Sequence, residues 1–217
     1  MLVSTLFDRI NSALRGQDDE TPTEGGAEAT YWLGIINRKK DEWAFDPFEN
    51  WSSLFEERVL TDPIVSGTQE YDLDADFLKP SDEIEVLVGD QVHKFSVIEP
   101  QLRDSVSGAV YIVGKKLHFV DDIDHLDGGT TTVPGFYLPA DLDAFTDVVP
   151  VDDPNWLALA VAAEIAFADV TYEDKMSDLT GMANNLYTRM KAANKKGTIT
   201  TPRALTTKVK RIGSQER

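Results

Sequence analysis

Chemistry in this chain would have to come from few residues. There are three histidines, His93, His118 and His125, and no cysteine. Without cysteine there is no disulfide, no thiolate zinc site and no thiol nucleophile. The most metal-like string is DDIDHLDGG, residues 121–129. An EF-hand loop needs oxygen ligands at positions 1, 3 and 5 and glycine at 6. With Gly128 sixth, those places fall to Ile123, His125 and Asp127; with Gly129 sixth, to Asp124, Leu126 and Gly128. Both registers fail, so the string reads as an acidic turn between strands, with an adventitious cation as the alternative. His93 and His118 lie in strand-like runs and belong to no HxH or HExxH spacing. Among so many carboxylates, a pair ~5–9 Å apart arises by chance and does not specify a glycosidase. There is no GxSxG, Walker loop or GxGxxG. The expectation is a protein that is not an enzyme, with no catalytic, cofactor-binding or metal-ligating residues.

Charge is more informative. The 217 residues carry a net charge of −17. Residues 1–187 hold 12 basic and 37 acidic side chains, whereas residues 188–217 hold nine basic and one acidic. An acidic body repels phosphate, so the basic footprint of a sequence-reading nucleic-acid binder is missing from the folded part. No run approaches the ~20 apolar residues of a membrane-spanning helix. The opening MLVSTLFDRINSALRG lacks a basic start and a continuous apolar stretch, and reads as an amphipathic segment of the mature protein.

The elements follow from periodicity. Leu2, Val3, Leu6, Ile10, Ala13 and Leu14 share one face of a helix over residues 2–15, ended by Gly16. Residues 17–26 form an exposed acidic loop. A second helix over 28–43 turns Trp32, Ile35, Ile36 and Trp43 inward and sets Arg38, Lys39, Lys40, Asp41 and Glu42 mostly on the other side. Asp46-Pro47 has the form of a helix start carrying Trp51, Leu54 and Phe55. From about Val59 the period becomes 2, with hairpin signals at Gly89-Asp90 and Gly114-Lys115. Five to seven short strands are expected between residues 59 and 149, with Pro134 and Pro139 demoting the last to an edge. Asp153 then caps a helix whose first residue is Pro154. Trp156, Leu159, Ala163, Ala166 and Val170 form one seam, and Met176, Leu179, Ala183, Leu186 and Met190 a second. The break near 171–174 makes them an antiparallel pair. Gly181, inside the second, predicts a packing contact or kink.

The expected fold class is α+β. A helical bundle is built from the N- and C-terminal helices (1–58 and 150–196), an antiparallel β-sheet or sandwich region (59–149) is inserted into it, and an extended basic tail (197–217) follows. The tail reads either as a solubilising end or as a docking peptide. Its candidate contact residues are Thr198, Ile199, Pro202, Arg203, Leu205, Lys208, Val209, Lys210, Arg211 and Ile212. Trp32, Trp43, Trp51, Trp156 and Tyr187 are candidates for subunit contact, with burial in the core as the alternative.

The order of helices, strand-rich middle and PVDDPNWLALAVAAEIAFADVTYEDKMSDLTGMANNLYTRMKAANKK resembles the podophage-type head-to-tail adaptor, or connector, proteins of tailed bacteriophages. The carrying residues are Val151 to Pro154, Ala162 to Ala168 with Glu164, and Tyr172-Glu173-Asp174, joined by YIVGKKLHF and GFYLPADL. The resemblance spans about 30–195 and is best over 134–195. It implies a homo-oligomeric ring, usually twelvefold, at the head–tail junction of the virion, made in the host cytoplasm. Its partners would be the portal protein, reached by residues 197–217, and a tail, nozzle or stopper protein. DNA would pass through without specific binding. A stopper or tail-tube-initiating virion protein, a calcium- or carbohydrate-binding module or enzyme using the acidic strands, and a DNA-binding role for the tail stay open.

Overall fold

The computed structural model describes residues 1–16 and 19–197. Four helices lie toward the chain ends: α1 (Val3–Leu14), α2 (Ala27–Ala44), α3 (Pro154–Ala168) and α4 (Glu173–Gly197). Between them run eight strands: β1 (Phe55–Val59), β2 (Glu70–Asp72), β3 (Phe77–Pro80), β4 (Glu83–Val88), β5 (Gln91–Ile98), β6 (Ala109–Val113), β7 (Lys116–Phe119) and β8 (Thr130–Tyr137).

The strands form one sheet in the order β1-β8-β4-β5-β6-β7-β2, with β3 also pairing with β8. The sheet is mixed and curls into a half-barrel. This corrects the expected helical bundle with an antiparallel insertion: the sheet is the dominant element, and the helices lie at the termini of the chain. The hairpins at Gly89 and Gly114 form as read, each glycine at a positive φ. The join between β5 and β6 is different. Ile98 and Ala109 are linked by a crossing segment, so Ser96–Ile98 pair in parallel with Ala109–Tyr111. No two-residue turn separates those runs, and a parallel pair needs such a longer connection.

Two further expectations fail for local reasons. β8 is central, not an edge, flanked by β1 on one side and by β4 and then β3 on the other. The Pro134 carbonyl accepts from Ser81 N–H at 2.9 Å, so the missing N–H of its ring also faces that side. There β4 has ended and β3 has not begun, and no ladder bond is lost. Asp46 starts no helix. Its carboxylate accepts from Phe48 N–H at 2.9 Å, closing a turn, and only a short 3₁₀ segment, Ser52–Leu54, precedes β1.

The core divides in two. The concave side of the sheet buries Tyr71, Phe77, Ile84, Val86, Phe95, Val110, Leu117, Phe119, Val133 and Tyr137, and is closed by Ile123 and Leu126 from the acidic turn. The helical cluster is centred on α3, which starts as expected: the Asp153 carboxylate accepts from Asn155 N–H at 2.9 Å, with Pro154 first in the helix. Leu157, Val161 and Ile165 are buried along with Trp156, Ala163 and Ala166 of the predicted seam, while Leu159 is half-buried, because α1, α2 and α4 all pack on α3. A helix covered on several sides has no polar stripe to reveal its faces. Val170, predicted in the seam, is 84% exposed. α4 runs unbroken through Gly181, and a Cβ added there would meet no atom within 4 Å, so the expected contact is absent.

Candidate functional site

A broad concave surface lies on the helical layer. α4 folds back along α3 after a one-turn break at Val170–Tyr172, so Trp156 packs on Tyr187 while Phe167 and Met176 line the same groove. α2 packs on α3 as well. Between α2 and α4 runs a groove of about 670 Å³, floored by Trp156, Ala160, Ala163 and Phe167 of α3. Alanine floors it because small side chains leave the space open. Its rim is charged: Glu164 of α3 pairs with Arg38 and with Lys39 of α2, the latter at 3.1 Å.

One end of this groove is tied shut by groups that sequence reasoning missed. Asp46 accepts from Tyr187 Oη and pairs with Lys191 at 2.8 Å. Glu49, 4% exposed in its side chain, faces Lys195 at 3.6 Å and Asn194 Nδ2 at 3.4 Å. Asn194 also donates to Asn50 O at 2.9 Å and accepts from Ser52 N–H at 3.3 Å. Lys79 of β3 donates to Glu49 O at 2.7 Å, joining sheet to latch. Partial burial pushes the Asp46 carboxyl up, but the bonds from Lys191, Tyr187 and Phe48 outweigh it and hold it below its usual range. Burial, followed by the bond to Asp46, raises the Tyr187 phenol far above its ordinary value. The signal available in the sequence was helical spacing: Tyr187, Lys191, Asn194 and Lys195 lie on one face of α4.

Four of the five candidate contact residues, Trp43, Trp51, Trp156 and Tyr187, are brought together, but inward. Trp43 and Trp51 pack at 5.3 Å, Trp51 and Tyr187 at 5.9 Å, and Trp156 and Tyr187 at 5.2 Å. Trp51 Nε1 donates to Trp43 O at 2.7 Å. Trp32 sits apart, against Phe7 at 5.4 Å. All four tryptophans are buried within the chain and Tyr187 is half-buried. The large apolar side chains that do reach the surface here are Phe45, Phe48, Phe167 and Val170. The ten candidate tail residues, Thr198, Ile199, Pro202, Arg203, Leu205, Lys208, Val209, Lys210, Arg211 and Ile212, lie outside the described residues.

The residues weighed for chemistry are spread over the sheet. His93 packs edge-on to His125 at 5.9 Å, while His118 stacks on Tyr111 at 4.8 Å with Glu70 3.6 Å away. In the acidic turn, Asp124 accepts from Ser66 Oγ and Gly67 N–H at 2.7 Å, and Asp127 accepts from Ser66 N–H at 2.9 Å. These carboxylates fasten the loop after β1 to the turn before β8. Among the described residues, no three His, Asp or Glu side chains converge as a metal site, and no helix is long and apolar enough to cross a membrane. No protein-family model matches the chain, and no curated protein is significantly similar to it in sequence.

Proposed function

We propose that the chain is a structural virion protein, a head-to-tail adaptor subunit that joins a portal ring to the tail and extends the DNA conduit. The observation that carries this reading is the separation of charge along one continuous element. α4 starts in the acidic body and is clamped by Asp46 and Glu49, and it leads directly into the segment rich in lysine and arginine. A chain that is mostly repulsive to phosphate yet ends in a cationic segment is suited to holding a protein neighbour beside DNA that must slide. The helical resemblance over residues 134–195 points the same way.

The reading is tested by co-sedimentation of the full chain with the portal protein encoded beside it, followed by electron microscopy. The expected result is a ring stacked on the portal, lost when Lys208, Lys210 and Arg211 are all changed to Glu. A chain that stays monomeric and unbound in the presence of that portal overturns the proposal. A stack whose only contact is with a tail protein would favour the stopper reading.

A further inference from the structure

The sheet ends in an unpaired edge, and the fold places the start of the chain's own basic segment beside it. β1 pairs on one side only, with β8. Because the Pro134 carbonyl points away from β1, its partner Glu57 belongs to a pair that exchanges no bonds. The Glu57 and Val59 N–H and C=O groups therefore face outward. Among the described residues these groups have no partner strand. Phe55, Glu57 and Val59 are exposed on one face of the strand, and Glu56 is exposed on the other. Such an edge is a template for another strand unless something covers it.

The end of α4 lies close by. Asn194 bonds to Asn50 and Ser52, three residues before Phe55. Nine residues lie between Gly197 and Thr207, a reach of ten chain steps or ~33 Å, whereas β1 is only ~17 Å long. Residues 207–212, Thr-Lys-Val-Lys-Arg-Ile, contain no glycine or proline and include two β-branched aliphatics and three cations.

We propose that residues 207–212 of this chain add antiparallel to the free edge of its own β1, with Lys210 opposite Glu57. That register puts Arg211 opposite Glu56 and Ile212 opposite Phe55, two opposite-charge pairs and one apolar pair. It places Lys208 opposite Val59, where its aliphatic stem covers the exposed valine. The parallel alternative sets Arg211 against Arg58 and is disfavoured by like charge. Strand addition of this kind draws its affinity from main-chain bonds and its register from side chains. The contact hides an aggregation-prone edge in the free protein. It needs no other molecule, so it stands or falls separately from the virion reading.

The test is backbone amide exchange at Glu57 and Val59 in the full chain. Lys210→Pro removes the N–H aimed at β1 and is expected to speed exchange at both positions at least tenfold, while amides in the centre of the sheet stay unchanged. Glu57→Lys and Lys210→Glu should each speed exchange at Val59, and the two together should restore protection. Equal exchange at Glu57 and Val59 in the wild-type and Lys210→Pro chains overturns the proposal. So does protection that rises with protein concentration, which would assign the edge to a neighbouring copy's segment. Protection independent of concentration supports it.

Discussion

Replacing Lys40 by methionine is expected to loosen the join between sheet and helices. Helical spacing puts Lys40 on a polar face of α2, yet it is 0% exposed. Its Nζ donates to Pro139 O at 2.8 Å, Ala140 O at 3.1 Å and Asp141 Oδ1 at 3.0 Å, with the Asp41 carboxylate also 3.0 Å away. Those acceptors lie on the segment that carries the chain from β8 toward α3. Asn37, one turn earlier in α2, holds Leu142 through both of its backbone groups at 3.0 and 2.9 Å. Each charge-assisted bond contributes ~1.5–3 kcal/mol, but water can replace the ammonium at exposed Asp141 and Ala140. The half-buried Pro139 carbonyl recovers less. Methionine also removes the cost of burying a charge, an effect that can make such replacements neutral or stabilising. Here the main acceptors are backbone carbonyls, which stay behind when lysine leaves. A net loss of ~2–3 kcal/mol is therefore expected, a fall in melting temperature of ~4–12 °C for a chain of this size. Denaturant and thermal melts of Lys40→Met and Asp141→Asn measure it, the second variant losing under ~1 kcal/mol. A Lys40→Met protein as stable as wild type would refute the reasoning, because the ammonium would then be fastening nothing.

Glycine substitutions should divide by surroundings, read from urea midpoints. Gly181→Ala is expected to stabilise by up to ~1 kcal/mol, since a Cβ there meets open space within a helix. Gly135→Ala should cost ~1–3 kcal/mol, because its Cβ would lie 2.9 Å from both Lys79 O and the Phe77 ring. Asp153→Ala, which removes the cap from α3, should cost ~1 kcal/mol in a thermal melt. The depressed Asp46 carboxyl stabilises the fold above the unfolded-state value of ~3.9, and that contribution is lost as pH falls through the lower folded value. Acid titration should therefore speed amide exchange in the last turns of α4 below about pH 4, and Asp46→Asn should flatten that dependence. An unchanged acid profile in the variant would remove Asp46 from the latch.

Much of the local structure was legible because it is written in short-range chemistry. The cap at Asp153, the glycine turns at 89 and 114, and the ends of α1 and α2 depend on neighbours a few residues away. The candidate groove and latch were not legible as a site. Trp43, Trp51, Trp156 and Tyr187 stand out in the sequence as a related group, but nothing in their spacing tells an inward cluster from an outward one. Asp46 has the sequence context of a helix cap and instead closes a turn whose second oxygen serves a residue 141 positions away.

By itself the amino-acid order determined most of the segments that coil or extend, the stretch from Asp46 through β1 excepted, and how charge divides between body and tail. Those properties follow from periodicity, caps and composition, each satisfied within about one turn of chain. Tertiary structure alone decided that β8 lies in the middle of the sheet despite Pro134, that β5 and β6 run parallel, and that Lys40 is interior. Each is settled by a partner strand or carbonyl distant in sequence. A backbone or ammonium group has the same local pattern whether water or a remote neighbour satisfies it, and only the packed chain determines which.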